Sequence, residues 1–132
     1  MGLVLDTSVF VRIERGQAVD FSTWAEYGEA FISTVTVSEL LVGVHRADNE
    51  THRTRRLAYV EGVLSRFAAL AFTTEVARVH AEVMAAMMQR GQLSGAHDVL
   101  IAATALAQGC AVLTADPVDF GRVPGLTVLA LD

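Results

Sequence analysis

The chain has 132 residues, 52% of them hydrophobic, and its 15 acids against 10 bases give a formal charge of −5. That is ample for one core in one domain over residues 1–132, and the acidic balance argues against a general nucleic-acid coating protein. All ten bases are arginine, which excludes mechanisms built on a lysine, the phosphate-binding loop of nucleotide hydrolases and the lysine-steadied aspartyl phosphotransferases among them.

Leu3 to Leu5 is a short apolar run with polar neighbours, which predicts a strand buried on both faces, as in a parallel sheet. Val9 to Arg15 predicts a short helix that Gly16 can stop. Asp20 to Tyr27 predicts a second helical piece with Trp24 as a packing residue, and Ala30 to Ser33 a second strand. Val37, Leu40, Leu41 and Val44 fall at helical spacing and predict an amphipathic helix over Val35 to Arg46. Polar Ala47 to Thr54 reads as a loop or a frayed helix start. Leu57, Val60, Leu64 and Phe67 repeat the stripe and predict a helix from about Thr54 to Phe67. These two helices are expected to form a hairpin standing proud of the sheet.

Leu70 to Phe72 predicts a third strand. Thr73 or Thr74 then caps a long helix reaching Arg90. Its Met84, Met87 and Met88 read as core or subunit contacts. Gly91 to Gly95 is a loop, and Ala96 to Gln108 is apolar nearly all round, as a buried helix is. Gly109 suits a left-handed cap. Ala111 to Thr114 predicts the fourth strand, Pro117 to Phe120 a helical turn, and Leu126 to Leu131 the fifth strand. Strands alternating with helices imply an α/β fold, a parallel sheet with helices on both faces.

In such a sheet the ligand edge lies at the carboxyl ends of the strands, and four acids are expected there. Asp6 ends the first strand, Glu39 lies early in the helix after the second, Asp98 opens the buried helix, and Asp116 follows the fourth strand, with Asp119 one turn on. Each has a local explanation. Glu39 follows Thr36 at capping-box spacing, Asp98 favours a helix dipole, Asp116 precedes Pro117 as an N-cap, and Asp6 can orient Thr7 and Ser8. Together they repel unless compensated. No lysine is present, and Arg12 and Arg15 lie a helix away. Oxygen-bound Mg²⁺ or Mn²⁺ is the natural remedy, and Ser8 or Thr114 can hold a water or a carboxylate in place. Zinc is disfavoured, since Cys110 is a lone, core-like cysteine and the four histidines lack ligand spacing. His97 beside Asp98 is taken as a neighbour.

At these residues the sequence resembles the PIN-domain ribonucleases, and within them the VapC-type toxins of bacterial toxin–antitoxin pairs. The resemblance rests on Leu3-Val-Leu-Asp6-Thr-Ser8, on Ser33-x-x-Thr36-x-Ser38-Glu39-Leu-Leu-x-Gly43 and on Asp98-Val-Leu-Ile-Ala-Ala-Thr-Ala-Leu-Ala107. It continues through Leu113-Thr114-Ala-Asp116-Pro-Val-Asp119-Phe120 and Arg122-Val-Pro-Gly-Leu-Thr-Val128, in family order across nearly the whole chain. It implies a three-layer α/β/α PIN-like domain with a five-stranded parallel sheet of order 3-2-1-4-5, and Mg²⁺- or Mn²⁺-dependent endonucleolytic cleavage of RNA, leaving a 5′-phosphate. It also implies a homodimer neutralised by a VapB-type antitoxin. By motif position Asp6, Asp98 and Asp116 hold the metal, with Glu39 binding a second ion or orienting the nucleophile. Asp119 is the acidic neighbour of Asp116 and a possible support; which of the two lies nearer the metal is open, with Asp116 favoured as closer to the strand end. A non-catalytic PIN-like module that binds RNA or antitoxin is the alternative.

Arg46, Arg53, Arg55, Arg56 and Arg66 collect in the hairpin and suit contacts to RNA phosphates or antitoxin carboxylates. No run approaches the ~18 apolar residues of a membrane span. No basic region precedes an apolar one at the N-terminus, and one cysteine fits a reducing cytosol. A cytoplasmic protein without membrane contact is therefore expected.

Overall fold

The computed structural model describes residues 1–131. Five short strands, β1 (Leu3–Leu5), β2 (Ala30–Ser33), β3 (Ala68–Leu70), β4 (Ala111–Thr114) and β5 (Val128–Ala130), form one sheet. All pairings are parallel and the order is β3-β2-β1-β4-β5, as the sequence predicts. The helices are α1 (Thr7–Glu14), α2 (Thr34–His45), α3 (Glu50–Arg66), α4 (Thr74–Arg90), α5 (Ala96–Ala107) and α6 (Pro117–Gly121), with a kinked 3₁₀ stretch over Phe21–Tyr27.

Alternation along the buried strands builds the two faces. Val4 and Val112 point into a core with Val83 and Met87 of α4, Val99 and Ala102 of α5, and Phe120 of α6. Leu3, Leu5, Ala111 and Leu113 point the other way, against Val9 and Phe10 of α1 and Val63 and Phe67 from α3 and its end. Trp24 packs on this second core, as expected. The helices thus cover both faces, and α5, buried at Ile101 to Ala105, is the most enclosed. Among the described residues no helix is long and apolar enough to cross a membrane.

Element boundaries differ from the sequence reading at several places, α1 for one starting at Thr7 rather than Val9. Helix α3 begins at Glu50 rather than Thr54, because Asn49 Oδ1 accepts the His52 amide at 2.9 Å and caps it. Strand β3 is Ala68–Leu70 rather than Leu70–Phe72: α3 runs to Arg66, and Ala68 pairs directly with Phe31. Phe72 lies beyond the strand with its ring edge-on to His80. Strand β5 is shorter than expected, pairing from Val128 to Ala130. Only the tip of the α2–α3 hairpin stands clear of the sheet. Its root is in the core through Val63, and Tyr59 Oη donates to Phe10 O at 2.7 Å, tying α3 to α1.

Candidate metal centre

Strand β1 hands the chain to α1 through Asp6, which is extended and only 4% exposed. Its carboxylate caps no helix amide. Instead Oδ2 accepts two hydroxyl protons, from Ser8 at 2.6 Å and from Thr114 at 2.9 Å. Those hydroxyls also accept: Ser8 Oγ from the Ala115 amide at 3.0 Å, Thr114 Oγ1 from the Asp116 amide at 2.9 Å. The end of β1 is thereby stitched to the segment that carries Asp116. Among the described residues nothing donates to Asp6 Oδ1.

Glu39 arrives on α2. The capping-box expectation for Thr36 and Glu39 is not met, because Ser33 caps the helix by accepting the Val35 and Thr36 amides at 3.0 and 3.3 Å. Glu39 is free to face the edge, where Thr7 Oγ1 donates to Oε1 at 2.7 Å and His97 Nδ1 lies 3.2 Å from Oε2. His97, taken from sequence as a mere neighbour of Asp98, thus pairs with an acid from another helix.

Asp98, Asp116 and Asp119 come closest together. Each offers an oxygen, and these oxygens lie within 4.8 Å of one another. Asp98 is in the first turn of α5, and Asp116 precedes Pro117 at the start of α6 without capping it through its side chain. Burial raises the Asp98 carboxyl from its ordinary 3.8 to about 6, and Asp6, Asp119, Asp116 and Glu39 push the same way. Asp116 is also raised, by lost hydration first and then by Asp119. Asp98 therefore sits in the field of the other four acids.

The geometry regroups the expected ligands. The sequence grouped Asp6 with Asp98 and Asp116 and left open whether Asp116 or Asp119 is nearer the metal, favouring Asp116. In the structure Asp119 completes the tight triangle, whereas Asp6 lies beside it, held by Ser8 and Thr114. The compensating cations also differ from those weighed in the sequence. Arg12 donates to Gln17 at 3.3 Å. Among the described residues the basic side chains beside the edge acids are the His97 imidazole, on Glu39, and the Arg122 guanidinium, whose Nη1 donates to Asp119 Oδ1 at 3.1 Å. Arg122 was legible as the i+3 neighbour of Asp119 on a helix. Thr7, 32 residues from Glu39, had no such signal.

The donor set fits a hard divalent cation. It consists of carboxylate oxygens only, close enough to repel, and the charged forms of Asp98 and Asp116 are disfavoured until a cation arrives.

A groove of about 770 Å³ runs between α1, α2 and α3 and reaches this edge at Thr7 and Glu39. Arg15, His52, Arg55 and Arg56 line it. Arg56 Nη1 also donates to Gly43 O at 3.0 Å. Of the other hairpin arginines, Arg53 pairs with Glu50 and donates to Ala47 O, and Arg66 lies over the Phe21 and Phe67 rings. Arg46 is exposed at the hairpin turn and does not line the groove.

The PIN domain family model matches residues 3–126. Ribonuclease VapC1 of Rickettsia felis is 41% identical over 131 residues, which cover 99% of this chain and 97% of that protein. The tRNA(fMet)-specific endonuclease VapC of Salmonella typhimurium is 33% identical over 97 residues, 74% of this chain and 71% of its own. A chain of the DNA-bound VapBC crystal structure from Salmonella typhimurium superposes with a TM-score of 0.86 at 26% identity, covering 97% of this chain and 96% of that one.

Proposed function

Since the chain belongs to the PIN domain family, we propose that it is a divalent-metal-dependent endoribonuclease, a toxin of the VapC kind restrained by a VapB-type antitoxin. The observation that carries the metal-dependent part is the triangle of Asp98, Asp116 and Asp119 at the carboxyl edge of the sheet. It forms in a chain 41% identical, nearly end to end, to a protein named as a ribonuclease. The reading takes residues 1–132 as one PIN domain acting in the cytoplasm as a homodimer.

In this reading Asp98, Asp116 and Asp119 hold Mg²⁺ or Mn²⁺, with Asp6 contributing through its free Oδ1. The bound cation supplies Lewis-acid activation of water and offsets charge developing on the scissile phosphate. The protein's own part is positioning. Ser8 and Thr114 fix one Asp6 oxygen and leave the other open. Thr7 and His97 hold one Glu39 oxygen each, so this carboxylate, with lone pairs to spare, orients the attacking water. Hydrolysis of this kind does not use the 2′-hydroxyl as nucleophile and leaves a 5′-phosphate. The non-catalytic alternative, in which the acids serve as helix caps, has less support, because the Asp6 carboxylate caps no helix amide and is held by Ser8 and Thr114 instead.

The purified chain is expected to cut RNA with Mg²⁺ or Mn²⁺ and to stop when EDTA is added, with 5′-phosphate ends found by sequencing. Transfer RNA, the substrate class in one relative's name, is the first to try. No cleavage and no rise in melting temperature with either metal would overturn the reading.

Arg55 and Arg56, in the groove that reaches Glu39, are proposed to contact backbone phosphates. Changing both to glutamine is expected to flatten the plot of log affinity against log salt by about 1.4 in slope, at about 0.7 per phosphate contact on a single strand. An unchanged slope with weakened antitoxin binding would assign the pair to the antitoxin instead.

A further inference from the structure

Asp98 and the Asp116–Asp119 pair reach the triangle on separate segments, and they repel. Asp98 rides on the well-buried α5, whereas Asp116 and Asp119 have only the short α6 behind them. Helix α5 starts after Gly95 with no side-chain cap, and α6 is only five residues long. Besides Phe120 of α6, which shares a core with Val99 and Ala102 of α5, two side chains join them through hydrogen bonds. Arg122 Nη1 donates both to Asp119 Oδ1, at 3.1 Å, and to Leu93 O, at 3.2 Å, in the loop just ahead of α5. From that same loop Ser94 Oγ donates to Asp119 O at 2.7 Å. The loop leaves α4 through Gly91, whose φ of 65° suits glycine, and Gly95 O accepts the Val99 amide at 3.1 Å to open α5. Asp119 is thus held at its carbonyl by the segment that delivers Asp98, and at its carboxylate by Arg122, which reaches that segment through Leu93 O.

We propose that Arg122 is a positioning residue for the metal centre: with Ser94 it clamps α6 to the loop before α5, and so sets Asp98 at its distance from Asp116 and Asp119. The proposal rests on the metal-centre reading above. Only one guanidinium nitrogen is needed for both contacts, and the second Asp119 oxygen takes no part in them. The Arg122 side chain is 41% exposed, so its charge is screened and its electrostatic weight small. Geometry is the larger contribution. Partners that orient metal-binding carboxylates are worth about 10–100-fold in metal affinity.

The two contributions have opposite signs. Losing a cation beside three carboxylates tightens metal binding, whereas losing the clamp weakens it. Mn²⁺ binding is therefore measured by electron paramagnetic resonance on the RNA-free chain, alongside metal-free melting temperature. Arg122→Gln is expected to bind Mn²⁺ about 10–100-fold more weakly with little change in melting temperature. Arg122→Lys, whose ammonium can still bridge two oxygens, recovers most of the affinity, and Ser94→Ala falls between. Unchanged or tighter binding by Arg122→Gln overturns the clamp while leaving the metal centre intact. If Arg122→Gln does not fold, wild-type affinity in Ser94→Ala overturns it instead. A wild-type chain that binds no Mn²⁺, or binds it no better than Asp98→Asn, overturns the metal-centre reading and the clamp with it.

Discussion

Asp98→Asn costs about 10³-fold or more in RNA cleavage and at the same time stabilises the metal-free protein at pH 7. The first effect follows from removing a cation ligand whose contribution to the transition state is worth several kcal/mol, and about 4 kcal/mol corresponds to 10³-fold in rate. The second follows from the crowding of the acids. Burial and four neighbouring carboxylates raise Asp98 from 3.8 to about 6, so the folded chain holds its proton more tightly than the unfolded one. Stability from this group is fully present below about pH 4 and is lost as pH rises through about 6. The raised carboxyl corresponds to about 3 kcal/mol against folding at pH 7, which solvent screening at a half-buried position reduces to about 1–2 kcal/mol. Asp116 is raised too and adds to the same slope. In EDTA the wild type should therefore melt progressively lower from pH 4.5 to 7, while Asp98→Asn follows a flatter curve and melts a few degrees higher at pH 7. Adding Mn²⁺ should raise the wild type and leave the variant nearly unmoved. A variant that is both inactive and less stable at pH 7 would mean that Asp98 holds the fold together and not the cation.

The sheet was legible because its strands are short apolar runs that can only be buried on both faces. Leu3-Val4-Leu5 and Ala111-Val112-Leu113 send alternate side chains to the two cores. The weaker segments were legible only in part. Ala68-Ala69-Leu70 has little β character, and the bulkier Leu70-Ala71-Phe72 drew the prediction two residues downstream. Its place is decided by pairing with Phe31-Ile32-Ser33 and by the end of α3, neither of which is local. The first turn of α3 was missed for a related reason. Glu50 to Arg53 is polar all round, so no stripe marks it, and the signal was the Asn49 cap alone.

The same division holds at the site. The acids were legible because a parallel sheet brings the ends of β1 and β4 and the starts of α2 and α5 to one edge, so backbone topology is enough to gather them. Their fine grouping depends on side chains. Thr7 reaches Glu39 across 32 residues and Thr114 reaches Asp6 across 108, and no spacing rule finds such pairs. The hydroxyls explain why Asp6 stands beside the triangle and not in it: Ser8 and Thr114 both spend their protons on one of its oxygens.

Asp6→Asn and Asp6→Ala should be equally inactive, yet only the alanine should weaken the fold. In asparagine the amide oxygen can take the place of Oδ2 and still accept from Ser8 and Thr114. The amide nitrogen then stands where Oδ1 was. It cannot bind a cation, and as a donor it relieves the repulsion that Asp6 exerts on Asp98 and Asp116. Cleavage is expected to fall by about 10³-fold with stability unchanged or slightly higher. Alanine leaves two hydroxyls without their acceptor in a position only 4% exposed. Ser8 Oγ and Thr114 Oγ1 lie 3.3 Å apart and can turn to each other, so one of the two lost bonds is recovered. One buried donor remains unsatisfied, which costs about 1–3 kcal/mol. Urea unfolding in EDTA measures the difference directly: asparagine should superpose on the wild type or lie to its right, and alanine should shift to lower urea. If the two variants lose stability equally, the hydroxyls need the charge of Asp6 and not just its acceptor oxygen. If asparagine keeps its activity, Asp6 belongs to the scaffold of the edge, and the cation is held by Asp98, Asp116 and Asp119 alone.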